Sequence, residues 1–261
     1  MTIAKLRTML MACALAPLIA ACAMSGGGGT NNAWSDADLT AALNNPARAQ
    51  ADRARDADRK PAALMTFFGV ERGMTALDLI ASGGYMTEVL ATAVGPTGKV
   101  YAQNPPAFLK FNNGAYDKAI SERLAGNRLP NVVRVDADLP ATAQVPAGSV
   151  DVAVTALNLH DIYNRDAAAA QKFLKDVFSM LKPGGVLGVI DHVGVAGADN
   201  QKLHRMQKSD AIAAAKAAGF TVDGDSNLLA HANDDHTKGP FDPALRGKTD
   251  QFVLKLRKPK A

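Results

Sequence analysis

The sequence predicts an α/β fold: a doubly wound, mostly parallel sheet of seven strands with helices on both faces. Three observations predict it. From Thr75 onward, short and almost continuously apolar runs alternate with helical patterns, and strands apolar along their whole length are those covered on both sides, as in parallel sheets built from βαβ units. Glycine-bearing turns punctuate that alternation. The polar residues at the strand ends gather at one rim, and in open sheets of this kind the ligand crevice lies beyond the carboxyl ends of the strands, where strand order reverses.

The chain before Thr75 divides into three parts. Residues 1–21 have the make-up of a signal peptide, with Lys5 and Arg7 as a positive start and an apolar run over 9–19 that is too short to span a bilayer. Leu18, Ile19, Ala20, Ala21 and Cys22 resemble the bacterial lipobox. That resemblance implies an exported, periplasmic protein held to the membrane by a lipid on Cys22. With Ala23 after the cysteine instead of aspartate, it also implies sorting to the outer membrane. An ordinary signal peptide or an uncleaved anchor is the alternative. Residues 22–35, with four glycines after Ser25, read as a tether. Residues 36–74 read as short helices around an arginine-rich turn, Asp52 to Asp56.

This leader bounds the chemistry. With Cys13 removed and Cys22 acylated, the mature chain has no free thiol, which excludes disulfides, thiolate metal sites and a cysteine nucleophile. Losing Lys5 and Arg7 takes the formal charge from +4 to +2, 27 Lys+Arg against 25 Asp+Glu, too near neutral for a nucleic-acid partner. The basic tail of Lys255, Arg257, Lys258 and Lys260 reads as a solvated strand end. A chain of 261 residues, 48% hydrophobic and 21% charged, can bury a substantial core.

Within the α/β region, 75–261, the first strand falls at 76–80 and a helix follows over 85–94, with Met86, Val89, Leu90 and Ala93 on one side. Strands follow at 100–102, 132–135 and 150–157. A helix over 167–181 buries Phe173, Leu174, Val177, Phe178 and Leu181, and Lys182, Pro183, Gly184 and Gly185 stop it. The remaining elements are a strand at 186–190, a helix at 208–218 and strands at 220–222 and 252–256. The rim then collects Asp78, Gln103 with Asn104, Asp136 with Asp138, Asn158 with His160 and Asp161, and Asp191 with His192.

These ordered segments, over roughly 60–258, resemble the motifs of class I S-adenosylmethionine (SAM)-dependent methyltransferases, which implies a Rossmann-like fold, SAM as cofactor and a small-molecule substrate. The later run from Asp234 to Asp250, with His236, Phe241, Pro243, Arg246 and Gly247, looks like a branch of predicted bacterial methyltransferases. The family's first motif is an acidic residue followed by three alternating glycines, which let the backbone pass close to the cofactor and turn into the helix. Here Asp78 is present, Ile80 and Ser82 replace two glycines, Gly84 keeps register, and Gly83 and Tyr85 flank it. The family's carboxylate after strand two, which accepts the ribose hydroxyls, is replaced by Gln103 or Asn104, amides without the gain of a charge-assisted bond. Asp136 and Asp138 match the segment that faces the adenine; solvated loop aspartates are the alternative. Asn158 completes the cofactor set.

The resemblance also places the end of strand four beside the transferred methyl. His160 is then a base near neutral pH, with Asp161 to orient its ring, and His192 is a further catalytic candidate and Tyr163 a weaker one. The loops bearing His204, Arg205 and residues 231–238 are expected to close over substrate. Arg53 and Arg59 either bind an acidic substrate group or pair with Asp52 and Asp56. Two other readings compete. Ile80, Ser82 and the missing ribose carboxylate suit a binding lipoprotein that has lost catalysis, and an exported enzyme would need SAM outside the cytosol where it is made. All five histidines fall after residue 159, several beside aspartates, which suits a metal-dependent hydrolase, but no metal-binding signature such as His-Glu-x-x-His is present, so no metal is assigned.

Overall fold

The computed structural model describes Met1 and residues 32–260. The expected signal peptide, Cys22 and the glycines of the tether lie outside the described residues. Residues 32–35, read as the end of the tether, lie on the domain. The Trp34 indole donates to the Ala93 carbonyl at 2.6 Å, and the Arg72 guanidinium covers its ring at 3.4 Å. Ser35 caps the first helix by accepting from Asp38 N at 3.1 Å.

The short helices expected over 36–68 are α1 (Asp36–Leu43), α2 (Gln50–Arg59) and α3 (Pro61–Phe68). Pro61 opens α3, where its missing N–H costs nothing. They share one unit, Asn32–Ala261, with the sheet. The strands are β1 (Thr75–Leu79), β2 (Lys99–Asn104), β3 (Val132–Asp136), β4 (Val150–Ala156), β5 (Leu181–His192), β6 (Thr221–Ser226) and β7 (Gln251–Arg257). Their order is β3-β2-β1-β4-β5-β7-β6, with β1 to β5 parallel and β7 antiparallel to both neighbours. This is the seven-stranded, mostly parallel sheet that the sequence predicts, and its strand order reverses between β1 and β4.

The other helices are α4 (Tyr85–Val94), α5 (Pro106–Leu109), α6 (Phe111–Leu124), α7 (Leu159–Arg165), α8 (Ala167–Met180) and α9 (Lys208–Ala217). Both faces of the sheet are covered. Leu77, Leu79, Ala153 and Leu187 pack with Leu174 and Val177 of α8 and Ala211 and Ala215 of α9. Ala76, Val100, Val152 and Val154 pack with Leu39 of α1, Phe68 of α3 and Val89 and Leu90 of α4. The alternation along each strand divides it between two cores. Gly188 lets α3 lie close, since a Cβ there would sit 2.7 Å from the Phe68 ring. Among the described residues no helix is long and apolar enough to cross a membrane.

Two details move the rim from where the sequence put it. Strand β2 runs on through Gln103 and Asn104, expected to follow it, and buries both. Helices α5, α6 and α7 were not anticipated; α6 carries Asn112, Asn113 and Gly114 with positive φ, which breaks its apolar periodicity.

Candidate active site

The turn from β1 into α4 has positive φ at three positions, only one of them a glycine. Ile80 has φ +52°, Ser82 +53° and Gly84 +83°. A β-branched residue with positive φ is strained, because its Cβ crowds the following carbonyl oxygen. Two amides of β2 hold the loop there. Gln103 Oε1 accepts from Ile80 N at 3.1 Å while its Nε2 donates to Ala137 O at 2.7 Å. Asn104 Oδ1 accepts from Ser82 N at 2.8 Å and its Nδ2 donates to Ser82 O at 3.3 Å. The amides expected to face a ribose are therefore bonded to backbone, Asn104 wholly to the loop and Gln103 to the loop and to Ala137.

The two remaining glycines face a helix. A Cβ on Gly84 would meet Ile120 Cδ1 at 2.6 Å and Arg123 Cδ at 2.8 Å, and one on Gly83 would meet Ala119 Cβ at 3.0 Å. Both let α6 approach the turn, a role that differs from the expected close passage of a cofactor. Asp78 lies beneath the loop, 2% exposed, accepting from Thr87 Oγ1 at 2.5 Å. Burial raises its pKa to about 7 against the opposing pull of the Thr87 bonds and Arg123.

Tyr85, first residue of α4, carries a cluster of arginines. Its hydroxyl donates to Asp56 Oδ1 at 2.7 Å, and Arg55 and Arg59 lie over its ring at 4.7 and 4.6 Å. Of the two readings of Arg53 and Arg59, neither residue pairs with Asp52 or Asp56: Asp56 takes Arg48 at 2.5 Å, Asp52 takes Arg123 at 2.7 Å, and Arg53 Nε donates to Arg48 O at 3.3 Å. Burial, and then the neighbouring Arg55, lower the pKa of Arg59.

A chain of histidines and carboxylates forms at the ends of β4 and β5. Asp191, fully buried at the end of β5, accepts from His160 N at 2.8 Å through Oδ2. Its Oδ1 lies 2.6 Å from His160 Nδ1 and accepts from His192 N at 2.8 Å. On the other side of the ring, His160 Nε2 is 3.3 Å from Asp161 Oδ1, and the same oxygen is 2.9 Å from His204 Nδ1. Burial alone would lower the pKa of His160, but the hydrogen bonds and charges of Asp161 and Asp191 outweigh it and raise the pKa to about 10. His160 thus holds its proton at neutral pH and acts as a donor, where the sequence suggests a base. Asp161, which burial would raise, is held below the usual carboxylate range by His160 and His204. Burial pushes His192 down to about 4, so its ring is neutral, with Nδ1 2.8 Å from Thr249 Oγ1.

The loops expected to close over substrate are tied to the body. Arg205, fully buried, holds both oxygens of Asp234 at 2.9 and 2.8 Å and the Lys238 carbonyl. Asp234 in turn accepts from His236 N at 3.0 Å and Asp250 N at 2.6 Å.

Beyond the ends of β1, β2 and β4 opens a cleft of about 480 Å³. It brings together Gln103, Asp138, Asn158 and Asp161 from the expected site, with Ile80 in its wall and Phe108, Leu139 and Phe173 as apolar faces. Asp78, Ser82, Gly83, Gly84, Tyr85, Asn104, Asp136, His160 and His192 do not line it. Asp136 is exposed and bonded to Arg134 at 2.8 Å. The sequence passed over Asp191 as a partner of His160, and over Thr249 and Phe241, because these join the cluster from distant parts of the chain. Only the Asp191, His192 doublet signalled it.

No protein-family model matches the chain. It is 31% identical over 126 residues to a demethylmenaquinone methyltransferase of Lactobacillus johnsonii, covering 47% of this chain and 45% of that one. It is 32% identical over 125 residues to a ubiquinone/menaquinone biosynthesis C-methyltransferase of Ectopseudomonas mendocina, covering 47% and 43%. The match therefore spans less than half the length of these relatives. Among solved structures, a SAM-dependent methyltransferase from Aquifex aeolicus superposes with a TM-score of 0.55 at 20% identity, over 86% of this chain and 99% of that one. The [4+2]-cyclase SpnF does so with a TM-score of 0.56 at 19% identity, over 84% and 86%. The fold is the Rossmann-like α/β fold of SAM-dependent methyltransferases.

Proposed function

We propose that this chain is a SAM-dependent methyltransferase acting on a small molecule or an envelope component. The observation that carries the reading is the cleft at the reversal of strand order, the place where sheets of this kind take ligands. Its volume of about 480 Å³ is in the range of cofactor sites, and the two methyltransferases matched in sequence support it. The residues present fit the cofactor. Phe108, Leu139 and Phe173 offer apolar faces for a purine, and Asp138 offers an acceptor for its amine. Arg59, stacked on Tyr85 beside Arg55, offers positive charge for a carboxylate, while Arg55 is itself paired with Asp52 at 3.6 Å.

When bound, SAM supplies an already activated methyl, so the protein has to align the acceptor and, where needed, take its proton. His192, neutral at pH 7, is buried outside the cleft and is a weak base, and His160, cationic between two carboxylates, fixes the rim beside it.

Calorimetric titration of the full-length chain with SAM tests the reading. Micromolar binding that weakens in Asp138→Ala supports it. Neither heat nor thermal shift with millimolar SAM in a folded sample overturns it.

A second reading, a binding lipoprotein without catalysis, is favoured by the Ile80 side chain in the cleft wall and the engaged amides of Gln103 and Asn104. The same fold in a protein called a cyclase shows how little the fold alone decides. SAM binding without turnover of any acceptor is its expected outcome. Export and anchoring at Cys22 belong to both readings and are checked by palmitate labelling, which Cys22→Ser should abolish.

A further inference from the structure

We propose that His160, Asp161 and His204 form a binding site for one divalent transition-metal ion of the zinc or ferrous-iron class. Among the described residues these three bring one ligand atom each, two imidazole nitrogens and a carboxylate oxygen, within 4.8 Å of one another. Two of the spacings are 3.3 Å, from His160 Nε2 to Asp161 Oδ1, and 2.9 Å, from His204 Nδ1 to the same oxygen. Bonds of about 2.0–2.1 Å in tetrahedral geometry put neighbouring donors about 3.3 Å apart. The cluster is thus near the size an ion requires before any ion is bound.

Three further features distinguish it from a surface ion pair. First, the other nitrogen of His160 is held at 2.6 Å by the buried carboxylate of Asp191. Metal-ligating histidines are held in this way, and at Nε2 the ion would displace the proton that His160 otherwise carries. Second, His204 has φ +50° and its ring sits edge-on to Phe241 at 5.0 Å. A non-glycine residue held in the left-handed region stores strain, and such residues concentrate at binding sites. Third, Asp161 is half exposed and lines the cleft, so the donors can be reached from solvent.

Two imidazoles and one carboxylate suit zinc or ferrous iron, whereas magnesium and calcium prefer all-oxygen shells. Three protein donors leave at least one position for water or a ligand. The sequence hid this site because His204 lies more than 40 residues from the other two ligands, outside any compact motif. The assignment stands whether or not the cleft takes SAM.

The test is zinc titration of the full-length chain, stripped with EDTA, by calorimetry, with cobalt substitution followed by visible absorption. One ion per chain at micromolar affinity or tighter is expected, with cobalt bands of a nitrogen–oxygen site. Asp161→Asn and His204→Asn should each weaken binding by about 100-fold, and Asp191→Asn by about 10- to 100-fold. His231→Ala, away from the cluster, should leave binding unchanged. Asparagine tolerates the left-handed backbone at position 204; should that variant fail to fold, Asp161→Asn decides. No binding at about 100-fold above the expected micromolar affinity, or binding unmoved by Asp161→Asn and His204→Asn, overturns the proposal.

Discussion

The side-chain oxygen of Gln103 accepts the backbone N–H of Ile80 at 3.1 Å, fastening a β-branched residue in the left-handed region at φ +52°. Holding Ile80 there costs about 1–2 kcal/mol. Gln103 offsets it with two bonds, the second to Ala137 O at 2.7 Å.

The two residues should therefore be energetically coupled. Gln103→Leu strands a half-buried donor and acceptor and should cost about 1–3 kcal/mol in urea denaturation. Ile80→Gly should stay within about 1 kcal/mol of the wild type, because relief of strain offsets lost burial and added unfolded-state entropy. In the Ile80→Gly background, Gln103→Leu should cost at least about 0.5 kcal/mol less than alone. Strict additivity would mean that the amide does not hold the turn.

Asp78 gives the protein a pH dependence of definite sign. Its pKa is about 7 in the folded state, raised by burial, against an ordinary value of 3.8. A carboxyl raised on folding binds its proton more tightly in the native state, so its contribution is fully present below pH 3.8 and is lost as pH rises through about 7. Asp78→Asn keeps an acceptor for Thr87 and never ionises. Urea midpoints should show the variant close to the wild type near pH 3.8 and increasingly more stable than it as pH rises to about 8. His160 and His192 titrate in both proteins and cancel in the comparison. A variant less stable than the wild type at the higher pH would mean that the ionised carboxylate is paired in the native state.

Much of the fold was legible because its signals are local. Almost continuously apolar runs such as 186–190, opened by Gly184 and Gly185, specify buried parallel strands whatever surrounds them. The rim was legible for the same reason, since strand ends follow from strand positions. Side-chain direction was not. Gln103 and Asn104 are polar residues at the carboxyl end of a strand, which reads as ligand-facing. That Ile80 and Ser82 adopt positive φ and claim those amides depends on backbone angles that no spacing reveals. His160 likewise reads as a base until Asp161 and Asp191 are seen on either side of its ring. Its state is set by β5, 31 residues on. Gly84 reads as a cofactor glycine until α6, a helix with no clear periodicity, is found against it.

The segment from His231 to Asp250 has no strand or helix of its own, and its most buried tie to the body is one ion pair. Arg205 is fully enclosed and grips Asp234 through both carboxylate oxygens, and Asp234 also accepts the N–H groups of His236 and Asp250. Replacing Arg205 by methionine fills much of the space but leaves the Asp234 carboxylate with no counter-charge in a dry site. Breaking one half of such a pair costs about 3–5 kcal/mol. That cost falls on the loop before it falls on the sheet, because β5 and β7 stay paired to each other over Val186 to His192. Limited proteolysis of Arg205→Met should therefore cut within 231–250 at protease levels that leave the wild type whole, while the core strands resist. Arg205→Met with Asp234→Asn, which removes both charges and keeps an acceptor for a backbone N–H, should recover much of the resistance. Cleavage spread evenly over the chain would show instead that the pair supports the whole domain and that the segment is no separate element.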